Sequence, residues 1–117
     1  MEQAVRKDRG WVILAMPERY NAASAQEFEP TLAKVLAEPD PLRLLLDFAT
    51  VRYVDSTGIG SLIRLFGTLK QRHGQVAAAN CRDNVAKIFK LVNLQRYIPL
   101  YATLEDALGS APTEPGS

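Results

Sequence analysis

The sequence predicts a single small α/β domain with a mostly parallel, mixed sheet of about five strands and four helices. Three observations predict it. Segments with apolar residues at helical spacing alternate with short apolar runs in the order β-β-α-β-α-β-α-β-α. That alternation implies parallel strands joined by right-handed crossovers. Leu42-Arg-Leu-Leu-Leu-Asp-Phe48 is nearly continuous in apolar character, as a central strand covered on both faces requires. The chain of 117 residues, without an internal repeat, suits one core.

The elements follow in order. Lys7-Asp8-Arg9-Gly10 is a turn between two short strands, the second being Trp11-Val-Ile-Leu-Ala-Met16, which Pro17 ends. Trp11 reads as a packed strand residue rather than a ligand platform. Ser24-Ala25-Gln26-Glu27 has the spacing of a capping box, opening a helix that buries Phe28, Leu32, Val35 and Leu36. Pro30 predicts that this helix bends or starts later than the box, and Pro39-Asp40-Pro41 stops it. After the central strand, Ile59, Leu62, Ile63, Phe66 and Leu69 form one apolar face, with Arg64, Thr68, Gln71 and Arg72 elsewhere and Gly74 as the stop. Gln75-Val-Ala-Ala-Ala79 is a small-residue strand. The next helix buries Val85, Ile88, Phe89 and Val92, and Asn93 suits a left-handed ending. Tyr97 to Tyr101 reads as a short edge strand. Thr103 caps a last helix ending near Gly109, and residues 110–117, rich in Pro, Ser and Gly, read as a disordered tail.

Composition excludes several classes of function. Apolar residues make up 47 % and charged residues 23 %, ordinary for a globular domain. The net charge is +1 and no basic stripe is apparent, so nucleic acid is not an expected partner. No apolar stretch approaches the roughly 20 residues of a membrane span, and no signal peptide opens the chain. These features fit a cytoplasmic protein. Cys81 is the one cysteine; it has no partner for a disulfide or a thiolate metal cluster and reads as an inert small residue. His73, the one histidine, falls at a helix end, so a Ser56-His73-Asp55 hydrolase would separate serine and histidine by about 25 Å. Asp47 and Asp55 carry no sign of paired acid–base work. With no third glycine after Gly58-Ile-Gly60 and no Gly-Lys-Ser/Thr loop, neither an enzyme nor a cofactor or metal is expected.

What remains is Asp55-Ser56-Thr57-Gly58-Ile59-Gly60, at a strand-to-helix junction. Asp55 and Ser56 are good capping residues, and the two glycines permit close backbone approach. A phosphate on Ser56 would sit where a helix start favours an anion; the alternative is that Ser56 is only a cap.

This element order, with Asp-Ser-Thr-Gly-Ile-Gly opening the second helix, resembles the STAS domain of bacterial anti-sigma factor antagonists. The resemblance runs from about Val5 to Leu108, assigns residues 1–109 to that domain, and is most specific at Leu45-Leu-Asp-Phe48 and Val54 to Gly60. Val85 to Leu94 looks like the family's third helix and its exit. The resemblance implies that Ser56 is phosphorylated by a serine kinase that is also an anti-sigma factor. The unphosphorylated antagonist binds that partner and frees the sigma factor, and a phosphatase restores it. It further implies a contact surface of Asn21, Asp55, Ser56, Thr57 and Gly58. Asn21 stands where the family usually has an aspartate near the serine, and Asn93 where it has a glycine. A second reading is a STAS interaction subunit that is not phosphorylated, as in a lipid-transport or stress-sensing complex.

Overall fold

The computed structural model describes residues 5–110. The chain runs β1 (Val5–Asp8), β2 (Trp11–Ala15), β3 (Arg19–Tyr20), α1 (Ala22–Leu36), β4 (Arg43–Asp47), β5 (Tyr53–Val54) and α2 (Ser56–Gln71). It continues through β6 (Gln75–Ala79), α3 (Asp83–Leu91), a 3-10 turn (Leu94–Arg96), β7 (Leu100–Tyr101) and α4 (Leu104–Leu108). The main sheet has the order β1-β2-β4-β6-β7. Only β1 is antiparallel, tied to β2 by a tight turn in which Arg9 and Gly10 have φ of 50° and 85°. Two positive φ values in succession are what a twisted hairpin turn requires, and glycine relieves one of them.

The sheet separates two apolar clusters. Leu44 and Leu46 of β4 face a larger core with Val35 of α1, Leu62, Leu65 and Leu69 of α2, and Val85 and Phe89 of α3. Leu45 faces the other way, joining Trp11, Ile13, Ala77 and Ala79 beneath Ala107 and Leu108 of α4. Side chains alternate across a strand, so a strand buried on both faces has no polar positions to spare. Trp11 is a core residue, as expected, with the Arg43 guanidinium 4.3 Å above its ring.

Several expectations need correction. Helix α1 is capped by Asn21, not Ser24: Asn21 Oδ1 accepts from the Ser24 amide at 3.1 Å, and Ser24 Oγ accepts from the Asn21 amide at 3.0 Å. Ser24 thus closes the box from inside the helix and Glu27 has no part in it, because an asparagine three residues earlier offers an equally good capping oxygen. The helix starts earlier than expected and runs through Pro30, which is exposed; the carbonyl it leaves without a helix donor belongs to Gln26, also exposed.

The buried stripe of α2 is Gly58, Leu62, Leu65 and Leu69; Ile63 is 52 % exposed. Of the expected face, Leu62 and Leu69 are buried and Ile59 and Phe66 pack on the edge of the core; only Ile63 stands outside, its place taken by Leu65. Past the end of α2, His73 takes the left-handed position (φ 58°), with its amide donating to Lys70 O and the Gly74 amide to Leu69 O. Gly74 is needed for another reason: a Cβ there would lie 2.7 Å from Leu42 O. Arg72, expected on an outer face, folds back onto α1 and donates to Leu36 O, to Glu38 O at 2.7 Å and to Asp40 Oδ1 at 2.9 Å. Val92 is half-exposed because α3 ends at Leu91, where the chain reverses through Asn93 (φ 59°), the expected left-handed residue. The last strand is only Leu100–Tyr101; Ile98 ahead of it is buried. Thr103 caps α4 as expected, accepting from the Asp106 amide at 3.0 Å. The expected tail lies, apart from Ser110, outside the described residues.

Candidate functional site

A second, two-stranded sheet that the sequence did not announce builds the site. β3 and β5 are parallel, with Arg19 opposite Tyr53 and Tyr20 opposite Val54. The residue after each strand is a helix cap: Asn21 begins α1 and Asp55 begins α2. Paired in this register, the two helix starts lie side by side, about one strand spacing apart. The Asp55 amide donates to Tyr20 O at 3.2 Å, and the Arg52 amide to Glu18 O at 2.7 Å. From the other flank, Asn84 Nδ2 near the start of α3 donates to Arg52 O at 3.0 Å.

Tyr20 holds this corner together. It is fully buried and its ring meets Phe28 of α1 edge-on at 6.1 Å. Burial pushes the phenol pKa up, against the downward pull of Ser61 and of Arg64. Gly58 packs directly on Tyr20: a Cβ at that position would stand 2.3 Å from Tyr20 O and 3.1 Å from Val54 Cγ1. No side chain larger than hydrogen fits there without displacing α2 from β3. Sequence reading passed over Tyr20, because a two-residue strand carries no periodicity that would single it out.

The residues singled out by sequence separate into two groups. Asp55 spends one carboxylate oxygen on the Gly58 amide at 3.0 Å, and its carbonyl accepts from the Ile59 amide at 2.9 Å. Ser56 and Thr57 occupy the next two positions and are exposed. Their amides belong to the first turn and have no acceptor within the helix, so partial positive charge collects beneath the Ser56 hydroxyl. Gly58 is buried under this surface, and Asn21, half-buried, is engaged in capping α1.

The other candidates lie elsewhere. His73 is exposed beyond the far end of the 16-residue α2, about 25 Å from Ser56 by helical rise. Asp47 Oδ1 accepts from the Ala49 amide at 3.0 Å and from Asn80 Nδ2 at 3.1 Å, a loop-fixing role. Cys81 is half-buried, and desolvation pushes its thiol up to about 12. No group of three metal-ligating side chains occurs among the described residues, and no described helix is long and apolar enough to cross a membrane.

Comparison with known proteins gives this geometry a context. The sequence profile of the STAS domain matches residues 2–107. The anti-sigma-B factor antagonist of Listeria monocytogenes is 30 % identical over 57 residues, about half of each chain. The structure of an anti-sigma-factor antagonist (STAS) domain protein from Planctomyces limnophilus superposes with a TM-score of 0.80 at 18 % identity, covering 89 % of this chain and 92 % of that one. The Bacillus cell fate determinant SpoIIAA in its phosphorylated form superposes with a TM-score of 0.67 at 16 % identity, covering 89 % of this chain and 94 % of that one.

Proposed function

The chain belongs to the STAS domain family, and from that premise we propose that it is an anti-sigma factor antagonist switched by phosphorylation of Ser56. In its unphosphorylated form it binds an anti-sigma factor that is also a serine kinase, and so sets a sigma factor free. Phosphorylation of Ser56 releases the partner, and a serine phosphatase restores binding. The observation that carries this reading is the exposed Ser56 hydroxyl at the first position of α2, beside an Asp55 already committed to capping. The relatives named as anti-sigma factor antagonists support it, as does the phosphorylated form of one structural neighbour.

The energetics favour a switch without refolding. A phosphoryl group adds about −1.5 to −2 charge. At an exposed helix start that charge is worth about 0.3–1 kcal/mol, and neighbouring Asp55 opposes part of the gain. The fold therefore changes little. The partner's surface, fitted to a neutral hydroxyl, instead meets an unpaired dianion. A loss of about 3–4 kcal/mol weakens binding by a factor of order several hundred. Asn21 supplies the site with a neutral amide in place of a carboxylate, so a partner reads one charge fewer beside the serine.

The test is affinity for the serine-kinase anti-sigma factor of the source organism, measured without ATP for the wild type, Ser56→Ala and Ser56→Asp. Tight binding by the first two and a loss of about a hundredfold or more in the third is the expected result. Incubation with ATP should add one phosphoryl group, located at Ser56 by mass spectrometry. Equal binding by all three proteins, with no phosphorylation, would return Ser56 to a capping role in an unregulated interaction module.

A further inference from the structure

On the outer side of α2 an exposed apolar residue, Ile63, continues into Phe66, whose ring packs on the edge of the core and is only partly buried. Ile63 lies seven residues after Ser56, which is two helical turns, so it shares Ser56's side of the helix about 10.5 Å further along. It is 52 % exposed. One turn on, the Phe66 ring lies 5.3 Å from that of Tyr97, itself 52 % exposed, and Lys70 Nζ stands 5.9 Å from the Phe66 ring. Isolated exposed apolar side chains need no explanation, but these three continue one another from the helix start toward the turn after α3.

The segment that carries them is one-sided in charge, and its Lys70 stands against the Phe66 ring. Between residues 56 and 100 the chain carries seven Lys and Arg residues and a single acid, Asp83; the remainder carries seven Lys and Arg against twelve acids. The near-zero total thus conceals a basic half. Arg72 is spent on the carbonyls at the end of α1, whereas Arg64, Lys70, Lys87, Lys90 and Arg96 are exposed.

We propose that the protein that reads Ser56 also docks on a shelf formed by Ile63, Phe66 and Tyr97, placing an apolar side chain there and surrounding it with carboxylates. This rests on the reading of Ser56 as a partner-facing switch and adds a second half to that interface. Continuity along one side of α2 assigns both halves to the same partner, and the basic segment that carries the shelf assigns its rim an acidic character. The shelf lies beyond direct contact with a phosphate on Ser56. Its contribution is therefore independent of phosphorylation, and the modified protein keeps a residual affinity.

The experiment measures affinity for the same serine-kinase anti-sigma factor, adding Ile63→Glu and Tyr97→Glu separately to the Ser56→Ala and Ser56→Asp proteins. Ile63→Ser, a milder change, serves if a glutamate variant fails to fold by circular dichroism. Each shelf change should weaken binding about tenfold or more, by a similar factor in both backgrounds. Lys70→Glu should weaken binding and flatten its dependence on salt between about 50 and 500 mM. Unchanged affinity in the shelf variants, with Ser56→Asp still defective, overturns the shelf and spares the switch. Loss in the shelf variants with none in Ser56→Asp overturns the switch and upholds the docking surface. Failure of the wild type to bind overturns both. Transfer of the Ile63 dependence to self-association in sedimentation, or to vesicles of phosphatidylglycerol, overturns the shelf proposal alone, since the shelf's occupant would then be a second copy or a lipid surface.

Discussion

Replacing Gly58 by alanine tests the packing on which the site depends. The added Cβ would stand 2.3 Å from Tyr20 O, about 1 Å inside ordinary contact, and 3.0 Å from Tyr20 Cδ2. Neither neighbour can yield cheaply. Tyr20 O accepts the Asp55 amide at 3.2 Å, and the ring is fully buried between α1 and α2. Overpacking against fixed backbone belongs to the upper part of its usual range, about 2–3 kcal/mol. Alanine recovers up to about 1 kcal/mol through helix propensity, leaving a net loss of about 1–2 kcal/mol. For a domain of this size that corresponds to a fall in Tm of roughly 4–10 °C. Gly67→Ala is the internal control: it lies in the same helix with nothing within 4 Å of the new Cβ, so it should stabilise by about 0.5–1 kcal/mol. Thermal and urea unfolding followed by circular dichroism measure both. If Gly58→Ala proved as stable as Gly67→Ala, the contact between α2 and β3 would not be the constraint that keeps glycine at this position.

Three further outcomes follow from the same geometry. Asn21→Ala should cost about 1 kcal/mol in urea unfolding through loss of the α1 cap, whereas Asn21→Asp, an equally good cap, should be close to neutral. Arg72→Ala should cost about 2–3 kcal/mol, and Arg72→Lys should recover little of it, since one ammonium cannot serve the carbonyls of Leu36 and Glu38 and the Asp40 carboxylate together. Alkylation of Cys81 by iodoacetamide in the folded protein should be slow at pH 8 and accelerate with each pH unit up to about 12, because burial disfavours the thiolate; in urea the rate should level off near the ordinary thiol value, about 8.5. A folded-state plateau near pH 8.5 would show that the thiol is not desolvated.

The elements that depend on local pattern were legible in the sequence. The apolar run from Leu42 to Phe48 marked the central strand, the turn signal Lys7 to Gly10 marked the hairpin although Lys7 and Asp8 belong to β1, and Asn93 and Thr103 marked a helix end and a helix start. Asp55 and Ser56 could be assigned to a helix start because capping is a property of a few consecutive residues. Choices between locally equivalent patterns were not legible. Asn21 and Ser24 are both competent caps, and either Ile63 or Leu65 can flank the Leu62–Leu69 face of α2 at helical spacing. Tertiary contact decided both: the pairing of Tyr20 with Val54 ends β3 at Asn21, and the sheet took Leu62, Leu65 and Leu69 while leaving Ile63 outside.

The sequence by itself thus determined the order of the helices and of the main-sheet strands, and the identity of the exposed serine, since these follow from interactions within a few residues along the chain. Only the tertiary structure set the starts of α1 and α2 side by side, because the two short strands that do so gain their hydrogen bonds from residues more than 30 positions apart. Such pairing leaves no periodic trace in either segment, and its physical mark is a glycine at 58, where a buried carbonyl leaves no room for a side chain.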